Sequence, residues 1–178
     1  MRLFIGVPVA GAARRRAAEV QEMLRGLGVK GNYSRPENLH VTLAFLGEQP
    51  DISRAAEALA SLSAEPGELL FTGLGTFPKN GVIFLAPEND APLRRAAEAL
   101  ALRLRAVGIP PEDRPFRAHL TLCRSCKSIP PALPEIPAIP LPMEEIILYE
   151  SHRVGGLLTY TPRGRISLPN QDYLQIRD

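Results

Sequence analysis

One four-residue pattern occurs twice in this chain of 178 residues. Residues 40–43 read His-Val-Thr-Leu, and residues 119–122, 79 positions later, read His-Leu-Thr-Leu. Each copy lies in an apolar run typical of a strand and follows a turn-rich stretch that contains Arg-Pro. Two matching segments separated by nearly half the chain indicate a duplicated unit, so we expect two related lobes.

Strand and helix signals alternate along the whole chain. Apolar residues at helical spacing predict helices over 12–27 and 52–62 and a third after Asp90 and Pro92. Short apolar runs predict strands at 3–7, 39–46, 69–77, 82–86, 116–123, 145–151 and 164–168. Strands interleaved with helices and hairpins predict an α+β fold with two pseudo-symmetric lobes, antiparallel-rich sheets, helices on the outside and a central groove.

The stretch 129–142 contains six prolines. Proline lacks the backbone N–H and is excluded from helix interiors and central strands. We therefore expect 129–142 to be an extended connector that runs over the surface.

Length and composition favour a single domain spanning residues 1–178, with an apolar fraction of 45% and a net charge of +2. No apolar run is long enough for a membrane span. The apolar start gives way to Arg14-Arg15-Arg16, so a cytoplasmic protein without a membrane partner is expected, and a monomer.

Cys123 and Cys126 form one C-x-x-C without a second pair, and we expect both to be free thiols.

The repeated motif predicts a shared site. In a strand, side chains two positions apart point to the same face. His40 and Thr42 should therefore project together, and so should His119 and Thr121. A twofold relation between the lobes would bring these four side chains into one groove.

Two imidazoles and two hydroxyls in one groove suit phosphodiester cleavage. A base must deprotonate the nucleophile and an acid must protonate the leaving oxygen, on opposite sides of phosphorus. Imidazole titrates near neutral pH and can serve in either role, and a threonine hydroxyl can donate to a non-bridging oxygen. No metal or other cofactor is expected, because the third histidine, His152, has no His or Asp at ligand spacing. A single motif would be weak, since many strands hold such residues, but two copies favour a catalytic pair.

The chain resembles the two-histidine (2H) phosphoesterase superfamily, in its RNA 2′,3′-cyclic phosphodiesterase (2′-5′ RNA ligase-like) branch, whose hallmark is two His-x-Thr-x motifs. The resemblance rests on residues 2–7, 35–47 and 116–122, and on Glu150-Ser151 and Tyr160. It implies a bilobed α+β fold and hydrolysis of RNA 2′,3′-cyclic phosphate ends to 2′-phosphates, with weak 2′-5′ ligation as a side reaction. RNA ends and oligonucleotides are the implied partners.

The resemblance also implies roles for individual residues. His40 would donate a proton to the leaving 3′-oxygen, and His119 would accept one from water. Thr42, Thr121 and Arg124 would bind the substrate phosphate. Strict strand alternation points Arg124 away from His119, so this contact requires the strand to end or twist there.

Three departures from the family pattern stand out: Ala118 replaces a frequent proline, Tyr33 replaces a common tryptophan, and the proline-rich 129–142 replaces a segment that can be helical. None touches the expected chemistry. Two other functions stay open: cyclic phosphodiesterase on small nucleotides, and a non-catalytic RNA-binding module. Groove length would separate RNA ends from small nucleotides, and the sequence does not provide it.

Overall fold

The computed structural model describes residues 1–110, 112, 114–169 and 173–176. Within them lie three helices and ten strands: β1 (Arg2–Pro8), α1 (Gly11–Gly26), β2 (Lys30–Tyr33), β3 (His40–Glu48), α2 (Ser53–Ala60), β4 (Gly67–Phe77), β5 (Val82–Pro87), α3 (Ala91–Ala106), β6 (Leu120–Lys127), β7 (Ile139–Met143), β8 (Glu145–Val154), β9 (Leu157–Ser167) and β10 (Tyr173–Gln175).

All described strands belong to one antiparallel sheet with the order β10-β9-β8-β1-β3-β6-β5-β4-β7, and β2 pairs with β6 beside this path. Its two halves meet between β3 and β6, where Val41 lies opposite Leu120. These two residues are the second positions of the two repeated motifs, so the sheet places the motifs side by side. The mixed class, antiparallel pairing and three helices agree with the sequence prediction.

The helices pack into one hydrophobic core on one face of the sheet. Helix α1 follows β1 in the chain but contacts β6 and β7 in the other half, whereas α3 follows β5 and contacts β3. Because each of these helices packs on the half of the sheet that does not contain the strand before it, the two halves of the sheet share one core. The opposite face carries a small aromatic cluster around Phe4 and Tyr149, and this face forms the groove described below. None of the helices in the described ranges is long and apolar enough to cross a membrane.

The duplication seen in the motifs extends to their supporting helices. Helix α1 is followed by Gly28 at φ +83°, and helix α3 by Gly108 at φ +77°. At both ends the next residue returns a hydrogen bond into the helix, from Val29 to Leu24 and from Ile109 to Leu104. Glycine is favoured there because a side chain would strain the left-handed conformation. Each motif therefore follows a helix that ends in the same way.

Several sequence-based boundaries were wrong; β9, for example, begins at Leu157 and not at residue 164. Strand β6 begins at Leu120, not at residue 116, because residues 116–119 precede the pairing of β6 with β5. The proline-rich stretch ends in an edge strand, β7, instead of remaining a connector throughout. Pro140 and Pro142 are exposed and alternate with buried residues of β7. An edge strand tolerates prolines at alternate positions because those nitrogens need no partner.

Candidate active site

A bulge follows the threonine in each motif. In β3, Thr42 lies opposite Gly6 and Ala44 opposite Ile5, which leaves Leu43 as the extra residue. In β6, Thr121 lies opposite Phe84 and Cys123 opposite Ile83, which leaves Leu122 as the extra residue. Both leucines are buried. The regular pairing of both strands is therefore interrupted at the same place, the fourth position of the motif.

These bulges decide which side chains reach the groove. An extra residue reverses the alternation beyond it. Phe45 therefore joins the groove face, opposite Phe4, and is 40% exposed. Arg124 occupies the equivalent place after the second bulge and lines the same cavity as Thr42 and His119. Strict alternation of side chains along the strand had predicted that Arg124 points away from His119, and the bulge is the reason that it does not.

The imidazoles are anchored alike. His40 Nδ1 lies 2.7 Å from the carbonyl oxygen of Asn38, and His119 Nδ1 lies 2.7 Å from that of Arg117. A carbonyl can only accept, so Nδ1–H donates in both cases, and in the neutral ring Nε2 carries the lone pair. His40 Nε2 lies 3.0 Å from Thr42 Oγ1, and the hydroxyl donates to it when the ring is neutral.

His40 lies in an aromatic enclosure. The ring centroids of Phe4 and Tyr160 lie 4.7 and 5.1 Å from its ring, and that of Tyr149 lies at 6.3 Å. The pKa of His40 is lowered to about 4, chiefly by burial and further by the positive charges of Arg124 and His119, against the opposing hydrogen bond to the carbonyl of Asn38. His40 is therefore neutral at pH 7 before substrate binds.

His119 has a different environment. The ring centroids of Phe77 and Phe84 lie 5.1 and 5.5 Å from that of His119. His119 also lines an open cavity of about 810 Å³. Burial and the nearby guanidinium groups of Arg124 and Arg117 lower the pKa of His119, and its carbonyl bond opposes them. The neutral imidazole thus presents a free acceptor nitrogen next to space that solvent can enter.

Arg124 lines the cavity together with His119. Its charge acts on both histidines and also opposes the burial that raises the pKa of Tyr160. A guanidinium close to both imidazoles suits a phosphate held between them.

The cysteines that flank Arg124 were predicted to be free, and this was wrong, since a disulfide joins Cys123 and Cys126. Ser125, which lies between them, has a positive φ of +52°, and the Cα atoms of the two cysteines are 6.3 Å apart.

The remaining predicted residues also lie in this region. Thr42 lines the cavity, and Thr121 is 8% exposed, in register with Phe84, whose ring contacts His119. The third histidine, His152, bonds instead to Thr161, with Nε2 2.7 Å from Oγ1. The described part of the chain contains no group of three or more His, Cys, Asp or Glu side chains suited to a metal ion.

Sequence reasoning assigned no role to the residues that support the pair. Asn38 Nδ2 donates to the carbonyl of Leu158 at 2.9 Å, which ties the β8–β9 hairpin to the segment that holds His40. Phe4 comes from β1, whereas Tyr149 and Tyr160 come from the β8–β9 hairpin, more than 100 residues after His40 in the chain. Only the buried asparagine two positions before a motif histidine offered a local signal.

The sequence matches the 2′-5′ RNA ligase superfamily over residues 10–155. An RNA 2′,3′-cyclic phosphodiesterase of Thermus thermophilus is 34% identical, covering 94% of this chain and 90% of that protein. A second RNA 2′,3′-cyclic phosphodiesterase, from Archaeoglobus fulgidus, is 35% identical over 70% of this chain and 72% of that protein.

Among solved structures, the crystal structure of Escherichia coli LigT in apo form has a TM-score of 0.81 and 26% sequence identity, and the match covers 93% of this chain and 96% of LigT. The structure of LigT complexed with 3′-AMP also has a TM-score of 0.81, with 25% sequence identity, and covers 94% of this chain and 97% of LigT. The resemblance carried by the two His-x-Thr-Leu motifs is confirmed, and this chain belongs to the 2′-5′ RNA ligase superfamily of two-histidine phosphoesterases.

Proposed function

We propose that this protein hydrolyses the 2′,3′-cyclic phosphate at RNA 3′ ends to a 2′-phosphate, with His40 and His119 as its acid–base pair. The observation that carries the proposal is the matched anchoring of the two imidazoles, each held through Nδ1 by the carbonyl two residues before it. This anchoring commits both Nε2 atoms to the groove. Curated relatives bearing the name of this activity support the choice of substrate.

The surroundings of the histidines support distinct roles. His119 borders the open cavity, so its neutral Nε2 accepts a proton from water as the water oxygen attacks phosphorus. The bond from phosphorus to the 3′-oxygen breaks, and protonated His40 donates its Nε2 proton to that oxygen. The aromatic enclosure of His40 separates it from bulk water, which keeps the acid on the leaving-group side.

The phosphate itself is bound by neutral donors and one cation. Arg124 offers a guanidinium fork, and the hydroxyls of Thr42 and Thr121 donate to non-bridging oxygens as charge develops on them. Weak 2′-5′ ligation follows from the same chemistry when the 5′-hydroxyl of a second strand replaces water.

Hydrolysis of a short RNA ending in 2′,3′-cyclic phosphate, with EDTA present, tests the proposal. Wild-type protein is expected to form a 2′-phosphate at a rate unchanged by the chelator, because the proposed acid and base are side chains of the chain itself. A nucleoside 2′,3′-cyclic phosphate is assayed in parallel. Faster turnover of the nucleoside would favour a small-nucleotide enzyme, and no turnover of either would favour an RNA-binding module.

The pH dependence follows from the lowered pKa values. Both histidines titrate below 6.5 in the free protein, His40 at about 4. Catalysis needs one protonated and one neutral ring, so the pH profile of kcat/KM should be bell-shaped. Its maximum should lie between the pKa values of the two histidines, and kcat/KM should fall above pH 6.5. The charge of bound phosphate raises both pKa values, so kcat should peak at a higher pH than kcat/KM. Initial rates across about pH 4 to 9 measure both curves, and a flat profile would contradict the pair mechanism.

A further inference from the structure

One buried polar side chain has no part in the hydrolysis proposed above. Gln21 is 2% exposed and lies beside the buried Val20 of the same helix, α1. Its amide nitrogen Nε2 lies 2.8 Å from the carbonyl oxygen of Ser34 and 2.9 Å from that of Leu122. Both carbonyls can only accept, so the two hydrogens of the amide group donate one bond each. A buried amide is costly unless it is hydrogen-bonded, and both donors of this one are satisfied.

The amide of Gln21 acts on the bulge in the second motif. Leu122 is the extra residue of that bulge, and its carbonyl also accepts a hydrogen bond from the backbone N–H of Ser34 at 2.9 Å. Ser34 follows β2, whose last pair with β6 joins Tyr33 to Cys123. Gln21 therefore bridges the two segments at the point where the bulge interrupts the pairing of β6 with β5.

The same bulge decides where Arg124 points. Because the extra residue reverses the alternation of side chains, Arg124 projects into the cavity that His119 lines. From there its charge lowers the pKa of both His40 and His119. A hydrogen bond that holds the carbonyl of Leu122 thus acts on the backbone two residues before the guanidinium.

The other half of the repeat offers a comparison. The glycines that follow α1 and α3 are Gly28 and Gly108, and the seventh residue before each is Gln21 in α1 and Ala101 in α3. The place of the amide is therefore taken in α3 by a side chain that cannot form a hydrogen bond. The first bulge turns Phe45, an uncharged side chain, into the groove. The buried amide belongs to the half in which the bulge directs a cation.

We infer that Gln21 is a positioning residue for Arg124: its amide fixes the carbonyl of Leu122, and with it the bulge that turns the guanidinium into the groove. The inference rests on the proposed function in one respect, since it takes Arg124 to bind the substrate phosphate. Gln21 itself contacts neither the substrate nor the reacting atoms, because it lies in the core between α1 and the sheet.

The first measurement needs no substrate. In Gln21→Met the side chain keeps its length but loses both donors, so the bulge should relax and Arg124 should move away from the imidazoles. The pKa values of His40 and His119 should then rise, in the direction expected for Arg124→Ala but by less. NMR titration of the imidazole protons measures both values. Gln21→Ala, which adds no bulk and suits a helix, should shift them in the same direction.

The second measurement is kcat/KM for a short RNA that ends in 2′,3′-cyclic phosphate. Gln21→Met should lower it about tenfold, because a displaced guanidinium binds the phosphate in a less productive geometry. When Gln21→Met is added to Arg124→Ala, no further loss should appear, since the amide acts through that guanidinium.

Val20→Ala is the matched control. Val20 is 2% exposed and adjoins Gln21 in α1, so the change removes packing from the same helix without removing a hydrogen bond. It should lower thermal stability but leave the pKa values of the two histidines and kcat/KM near those of wild type. Thermal unfolding of every variant shows that each is folded at the temperature of the assays.

Three results would overturn the inference. The first is a set of pKa values and a kcat/KM that stay at wild-type levels in both Gln21 variants. The second is the same pKa changes in Val20→Ala, because the cause would then be a general loosening of the core. The third is losses that multiply in the double variant, because Gln21 would then act apart from Arg124. Failure of the proposed function looks different: wild type would form no 2′-phosphate, while the titration would still test the position of Arg124.

Discussion

His119→Ala is expected to lower kcat for cyclic phosphate hydrolysis by about 10²- to 10⁴-fold, and His40→Ala by a similar factor. In the proposed mechanism each of these side chains moves a proton in the transition state, and no other described titratable side chain replaces it in that position. Rates are measured on the cyclic phosphate RNA with wild type and both variants. His152→Ala is the matched control, because its ring bonds to Thr161 and does not line the cavity.

The two variants should differ in their response to added imidazole. In His119→Ala the open cavity admits imidazole to the vacated position, so part of the rate should return. In His40→Ala the position lies behind Phe4 and Tyr160, so recovery should be smaller. Equal activity of wild type and either variant would leave the motifs with a structural role only. Thermal unfolding of each variant shows whether the loss reflects folding.

Arg124→Ala is expected to lower kcat/KM by about 10²-fold, since the proposed charge-assisted hydrogen bonds to the phosphate are lost. Arg124→Lys should fall between the two, because lysine keeps the charge but not the fork. Arg153→Ala, on the β8–β9 hairpin and bonded to Gly156, is a control for loss of a cation outside the cavity.

A second measurement separates a direct role of Arg124 from a merely structural one. The charge of Arg124 lowers the pKa of both His40 and His119. In Arg124→Ala both values should therefore rise, while in Arg124→Lys they should stay near those of wild type. NMR titration of the imidazole protons measures this without substrate. Unchanged pKa values in Arg124→Ala would show that the guanidinium does not face the histidines.

Much of this protein was determined by short-range patterns in its sequence. The periodicity of α1 and α3 and the glycines that end them are local properties, and they gave helices close to the predicted bounds. The alternation within each motif placed His40 with Thr42, because two residues of one strand share a face whatever the partner strand is. Two copies of the motif then sufficed to indicate the family.

The tertiary structure decided what depends on pairing between distant segments. The bulges at Leu43 and Leu122 arise from the register against β1 and β5, and they turn Phe45 and Arg124 into the groove. No pattern within either motif specifies that register. The aromatic enclosure of His40 comes from β1, β8 and β9, and it makes one histidine enclosed and the other open.

The cavity shows the same division. The sequence by itself placed cations along α3 and before β6. Only the packing of α3 against β3 in the other half of the sheet turned these features into one lined space beside His119. Side chains far apart in the chain meet when a shared core brings their elements together, and burial against that core is a property of the whole fold.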